Sequence, residues 1–454
     1  MLTKKQQTRF LITMMSCSMM VAMIITVPII MLPSIIAEFQ VSPVTAQWLI
    51  SGATLASGIM IPVAAYLIKR FPNKHYFFAS VFIIAIGSLL TAVAQSFPVL
   101  LVGRIIQSLG CGMTIPFANI MLLAAYPKEK HGRVMAIFGL GAMIAPIITP
   151  IISGPVIDHL GWQFMFTIIL IVSAVVLILG LAFMKNVTET YSEKFSLQPV
   201  VLSSVGFCGL LIGMSNLAQH PILSLQSGGA LLIGLVTLYF FIRTQLRSSD
   251  PLLNLRVFAN SKYSAAVIIS VLAGLIVLGS GTFLPIFTQS ILGHSATAFA
   301  MVMLPGSVIM AIIMVFAGRT FDKYGAKIPF ICGGAVLVIG CILGILFHEN
   351  ASLFHIAVVS GLLSAGMGFV TVPATTLGLS GLDGKKRVDG SSILNTLRQI
   401  ANSFAAVFTI LVYTVVAQRA GNEITGVRAI YIVYLFVGAV MLITVFKAKY
   451  STEK

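Results

Sequence analysis

Two arginines sit inside long apolar stretches of this chain. Arg104 lies in the run 99–125 and Arg398 in the run 390–416, and neither run holds an acid. A charge in the middle of a lipid-embedded helix costs on the order of 2.5 kcal/mol or more, so it marks a cavity, a pathway or a polar partner. Gln107, Ser108 and Cys111 follow Arg104 at helical spacing and share its face. That set suits an anionic group or a nearby proton site. Arg104 is also only ~9 Å from the outer end of its run at helical rise, so snorkelling to the outer head groups is the other reading. Asn395, Gln399 and Asn402 flank Arg398. A polar stripe of that kind serves either substrate contact or hydrogen bonding between helices.

A second pattern follows in the next run. Gly141, Ala145, Thr149 and Ser153 recur at every fourth position, with Pro146, Pro150 and Gly154 beside them. Small residues at that spacing let another helix approach closely, and the prolines loosen the helix that bears them. The expected role is a hinge or a seal. Asp158 stands just beyond, at an outer turn. It suits the N-cap of the following helix or an outer proton acceptor. No acid lies deep in any apolar run, the nearest being Glu38 and Asp158. Met15, Met19 and Met23 form a stripe that fits packing or an adaptable pocket wall. Cys17, Cys111, Cys208, Cys332 and Cys341 read as small buried hydrophobes. Neither a metal cluster nor a nucleotide loop nor a catalytic motif is visible, so the chain is not expected to be an enzyme or to carry a cofactor.

These residues need helices in a membrane to position them. Of 454 residues, 58% are apolar and 9% charged, far from soluble composition. Fourteen runs between residues 10 and 446 are near or above spanning length, the weakest being 222–242. With the N-terminus inside, 24 of the 28 lysines and arginines fall in inner segments, which sets the topology with both termini cytoplasmic. The net charge of +16 is therefore a topology signal, and nucleic acid is not an expected partner. Longer inner segments bracket the seventh and eighth runs. The fold class expected is an all-α polytopic membrane protein with two six-helix bundles and two extra central helices. The boundaries are 1–195 for the first bundle, 196–250 for the extra pair and 251–454 for the second bundle. Basic loops recur at 65–74 and 318–327, a weak repeat of the kind transporters show.

The chain resembles the major facilitator superfamily in its fourteen-helix drug:proton antiporter branch, nearest to lincomycin-resistance-type multidrug exporters. Arg104-Ile-Ile-Gln107-Ser-Leu-Gly110 looks like the fourth-helix motif R-x-x-Q-G-x-G. Ala145-Pro146-Ile-Ile-Thr149-Pro150-Ile-Ile-Ser153-Gly154 looks like the antiporter motif of helix five. Asp250 to Phe258 and Gly390 to Gln399 look like the start of the second bundle and of helix thirteen. Gly318, Asp322, Lys323 and Gly325 resemble the loop that latches the inner face. One departure stands out. The acid usually found in helix one is replaced by Ile24 or Ile25, just before Thr26.

The resemblance implies multidrug or amphiphile efflux by proton antiport with alternating access. It implies a monomer in the bacterial cytoplasmic membrane, with a proton gradient in place of a cofactor. Arg104, Gln107, Asn395, Arg398 and Gln399 are then the substrate or coupling residues, and Asp158 a possible proton site. Two positive residues and no buried acid favour neutral or anionic amphiphiles as small-molecule partners, with membrane lipids around them. A lipid or lipid-precursor flippase, or a proton-independent facilitator, remains open on the same scaffold. A non-transporting sensor fits less well, since the tails are short.

Overall fold

The computed structural model describes residues 3–127, 131–187, 197–248, 251–380, 382 and 384–448. Fourteen long helices lie among them, in the number and order that the apolar runs predict. The first six are α1 (Lys4–Phe39), α2 (Trp48–Arg70), α3 (Asn73–Ala92), α4 (Phe97–Ala125), α5 (His131–Leu160) and α6 (Trp162–Phe183). A pair follows, α7 (Gln198–Asn216) and α8 (Ala230–Arg247). The last six are α9 (Ser261–Pro285), α10 (Ala296–Tyr324), α11 (Lys327–Ile345), α12 (Leu353–Ser380), α13 (Gly384–Ala420) and α14 (Glu423–Lys447). No strand occurs among the described residues. Thirteen of these helices are long and apolar enough over their described residues to cross a membrane, and α5 adds the apolar stretch Ile144–Leu160.

The weakest expected span is shifted rather than missing. A π-helical turn, Leu225–Gly229, precedes α8, and Ser224 Oγ accepts from the Ser227 amide at 3.1 Å. Serine and glycine there favour a turn over helix, so α8 starts at Ala230.

Within the first six helices, α4 packs on α2 and α3, α1 on α5 and α6, and α3 on α6. Within the last six, α12 packs on α9, α10 and α11, and α14 on α11 and α13. Large apolar side chains such as Ile171, Ile178 and Leu181 on α6 and Leu232 and Tyr239 on α8 point outward and exposed. In water that surface would be untenable; in lipid it is the expected outer wall. The protein is a multi-pass membrane protein.

The two sets of six meet along two seams, α2 against α13 and α5 against α10. Side-chain hydrogen bonds cross between the two sets. Ser403 Oγ of α13 donates to the Ser51 carbonyl of α2. Gln289 Nε2, just past α9, donates to the Ile30 carbonyl of α1 at 3.1 Å. The extra pair reinforces the first seam. Trp48 Nε1 donates to Ser215 Oγ of α7 at 3.1 Å, and Leu211 of α7 clusters with Leu55, Ile400 and Val407.

Candidate functional site

Arg104 is 2% exposed, deep in α4. Its Nη1 donates to Gln107 Oε1 one turn along, and Gln107 Nε2 donates in turn to Ser88 Oγ of α3 at 2.7 Å. The Phe166 ring of α6 lies 5.8 Å from the guanidinium carbon. The guanidinium Nε has no hydrogen-bond partner. Among the described residues no carboxylate pairs with Arg104. Guanidinium offers five N–H donors in a fixed fork, and the Gln107 amide engages only part of that fork.

The close approach of α3 to α4 fixes that geometry. A Cβ added at Gly87 would stand 2.4 Å from the Gln107 amide nitrogen and 2.6 Å from its Cα. Only a hydrogen fits there, and the contact seats the residue that carries Arg104.

Beside Arg104 is a narrow cleft, open at one end, with a cavity volume of about 20 Å³, room for about one water molecule. Ile24, Ile25 and Pro28 of α1, Ile50 and Ser57 of α2, and Ser108 and Cys111 of α4 form its walls. Gln399 of α13 reaches in from the opposite bundle and donates to Ser57 Oγ at 3.3 Å. Ile24 and Ile25, the helix-one positions where the family pattern has an acid, are therefore pocket wall. Ile25 borders that space and is 40% exposed.

The other residues singled out in the sequence are placed differently. Gln107 faces α3 and steadies Arg104 instead of lining the pocket. Arg398 is not in the pocket either. It donates to Ser270 Oγ of α9 at 2.8 Å, and to the Thr371 carbonyl and Thr375 Oγ1 of α12 at 3.3 and 3.0 Å. The two arginines thus belong to separate sites, and the pocket holds one positive charge rather than two. Asn395 sits one turn before Gln399 and half-buried. Asn402 Nδ2 donates to Gln399 Oε1 at 3.2 Å and orients that amide.

On α5, Ala145, Thr149 and Ser153 are fully buried, while the surroundings of Gly141 lie outside the described residues. The helix continues through Pro146, Pro150 and Pro155. The point of close approach is the adjoining row. A Cβ at Gly154 would come within 2.8 Å of Thr297 Cα and 2.9 Å of Ala300 Cβ on α10. One turn further, Asp158 accepts from the Ala296 amide at 3.0 Å and the Thr297 amide at 2.8 Å. Ser295 Oγ accepts from Ala298. Asp158 therefore caps α10 across the seam, not the adjacent α6, whose N-cap is Gly161 with φ 85°. Three of the four free N–H groups of α10 are satisfied this way, two of them by the other bundle.

This clasp carries a testable consequence. Asp158→Ala should move the population toward the outward-open form. Because Asp158 is solvent-exposed, the clasp contributes about 1 kcal/mol, a several-fold change in the ratio. Spin-label distances across the outer ends of α5 and α10 should lengthen in the variant. An unchanged distribution would show that Asp158 does not hold the seam.

At the other end of α10, Gly325 terminates the helix with φ 76°. Asp322 and Lys323 are exposed, and Lys323 Nζ lies 5.0 Å from the Tyr324 ring. Asp322 has no ion-pair partner among the described residues, and Gly318 only approaches Val372 of α12, 3.7 Å from an added Cβ.

Ile25, Ser57, Ser88, Gly87 and Phe166 complete the site and were not singled out as site residues from sequence. Ser88 and Gly87 carry a usable signal, a serine and a glycine side by side in the middle of a mostly apolar run. Phe166 carries none.

The comparisons with known proteins agree with this architecture. The sequence model of the Major Facilitator Superfamily matches residues 14–406. An uncharacterized MFS-type transporter of Bacillus subtilis (strain 168), YcnB, is 31% identical over 430 residues, covering 93% of this chain and 91% of its own. Lincomycin resistance protein LmrB of the same organism is 32% identical over 386 residues, 82% of this chain and 78% of its own. Multidrug resistance protein Stp of Mycobacterium tuberculosis (strain CDC 1551 / Oshkosh) is 25% identical, covering 84% and 71%. Among solved structures, a bacterial homolog of the human lysosomal transporter Spinster in an inward-facing, unoccupied conformation aligns over 98% of both chains. Its TM-score is 0.70 at 15% identity, which shows the fold alone. A chain whose residues 14–406 match the family, whose relatives of 31–32% identity are aligned over most of their length, and whose helices form this fold belongs to the Major Facilitator Superfamily of transporters.

Proposed function

We propose that this transporter exports small amphiphilic molecules, neutral or anionic by preference, in exchange for protons. It works as a monomer in a bacterial cytoplasmic membrane with both termini at the cytoplasmic face. The observation that carries this reading is Arg104, hydrogen-bonded to Gln107 but facing no acid among the described residues, beside a largely apolar cleft. Cargo would enter from the cytoplasm or inner leaflet and leave after the seams reverse. The names of LmrB and Stp, a lincomycin and a multidrug resistance protein, support the direction.

Roles follow from position. Arg104 meets the cargo, and Gln107 holds it in place. Gln399, with Asn395 a turn earlier, presents the second bundle to the same space, while Arg398 ties α9, α12 and α13 together. Ala145, Thr149, Ser153 and Gly154, with Pro146 and Pro150, let α5 hinge and seal. Asp158 is the carboxylate whose protonation releases the outer seam. Gly318, Asp322, Lys323 and Gly325 form an inner latch that engages in the reverse conformer.

Proton-independent transport, including lipid flipping, is the second reading. Its supporting observation is Ile25, a hydrocarbon wall where a buried acid would carry protons. Proteoliposomes separate the two. An imposed pH gradient should accelerate flux of a labelled amphiphile at least several-fold. Equal flux with and without the gradient would favour the facilitator, and no flux of any amphiphile would remove the exporter reading.

A further inference from the structure

The Arg104 pocket holds a charge with nothing of opposite sign to meet it. Arg104 is almost fully buried, and only one of its terminal nitrogens is engaged, by the neutral amide of Gln107. Its Nε is orphaned. Burying a charge without compensation is strongly destabilising, and native proteins normally pair it. The side chains in front of it are Ile24, Ile25, Pro28 and Ile50, with the hydroxyls of Ser57 and Ser108 at the edges. The Phe166 ring, 5.8 Å from the guanidinium carbon, offers a π face but no counter-charge.

We propose that the cargo supplies the missing counter-ion. The cleft widens to take the monoanionic head of an amphiphile, such as a carboxylate, onto the guanidinium N–H groups that Gln107 leaves unengaged, and the apolar tail lies along the α1 wall. Guanidinium and carboxylate match geometrically through parallel hydrogen bonds. Ile25 is the selectivity residue. As hydrocarbon it leaves Arg104 uncompensated and gives a cationic head nothing to pair with. Gln399 makes the site responsive to both bundles. Its bond to Ser57 is 3.3 Å, at the weak end of the range, so the amide can turn to an anion when one arrives. A ligand held by α4 on one side and α13 on the other interacts differently with the two arrangements of the bundles, which is what a conformational shift requires.

The inference rests on the exporter reading for its biological meaning but is tested by binding alone. Three probes share one tail: octanoate, octanol and octyltrimethylammonium. Each is titrated onto the full-length protein in phosphatidylcholine nanodiscs, with empty nanodiscs subtracted. The wild type should bind octanoate at least tenfold more tightly than either other probe. Arg104→Gln should bring octanoate to the level of octanol. Ile25→Glu should weaken octanoate at least tenfold and strengthen octyltrimethylammonium, while Ile25→Gln, of the same size and uncharged, should keep the wild-type order. Equal binding of the three probes by the wild type overturns the inference, as does an anion preference that survives Ile25→Glu. Charge-selective binding without export would instead count against the exporter reading and leave the anion site standing.

Discussion

Arg104→Met should abolish most transport while leaving the protein folded. The guanidinium is the one charge in the pocket. A hydrogen bond to a charged group contributes about 1.5–3 kcal/mol, so losing it should lower apparent affinity for an anionic amphiphile roughly tenfold to a hundredfold. Stability should move much less. The substitution removes a buried charge whose Nε is unpaired, and it also leaves Gln107 Oε1 without its donor. Each of those changes is worth about 1–3 kcal/mol, in opposite directions. Thermal unfolding of purified variant and wild type, with transport assayed in parallel, checks both halves. A sharp fall in stability at unchanged transport would make Arg104 a structural residue.

Gly87→Val should have the largest effect on folding. The added Cβ would sit inside contact distance of the Gln107 backbone, and backbone in mid-helix cannot swing aside as a side chain can. Helices α3 and α4 must separate, which costs about 1–3 kcal/mol or more in a packed interior. The same shift displaces Gln107 and with it Arg104, so transport should fall even in the fraction that folds. Gly281→Ala is the matched control, since nothing lies within 4 Å of its added Cβ. It should be neutral or slightly stabilising, because alanine is the better helix former. Thermal stability of the two variants in one detergent decides the matter, and equal losses would mean that the α3–α4 approach is not a constraint.

Much of this arrangement is legible in the sequence because lipid imposes long apolar runs and sorts lysine and arginine by side. The fourteen helices, and the proximity of Arg104 and Gln107 one turn apart, follow from those rules and helical spacing. What periodicity cannot give is which face of a helix meets which neighbour. Thus Gln107 turns to Ser88 and away from the pocket, and Arg398 finds Ser270, Thr371 and Thr375 within its own bundle. Asp158 illustrates the same gap. An aspartate before Gly161 and Trp162 reads locally as a cap for the next helix, yet the N-terminus it caps is 138 residues away on α10. Only the docking of the two bundles brings that helix end within reach. Ile25 is visible as a departure from the family pattern, but its place beside Arg104 depends on how α1 packs beside α4.

The most direct measurement uses everted membrane vesicles with an acid interior. Anionic, neutral and cationic amphiphiles are added in turn, and the pH gradient is followed against vesicles lacking the protein. The expected result is dissipation by anionic or neutral compounds, lost in Arg104→Gln. Dissipation by cations alone, unchanged in Arg104→Gln, would contradict a proton-coupled exporter built around a basic pocket.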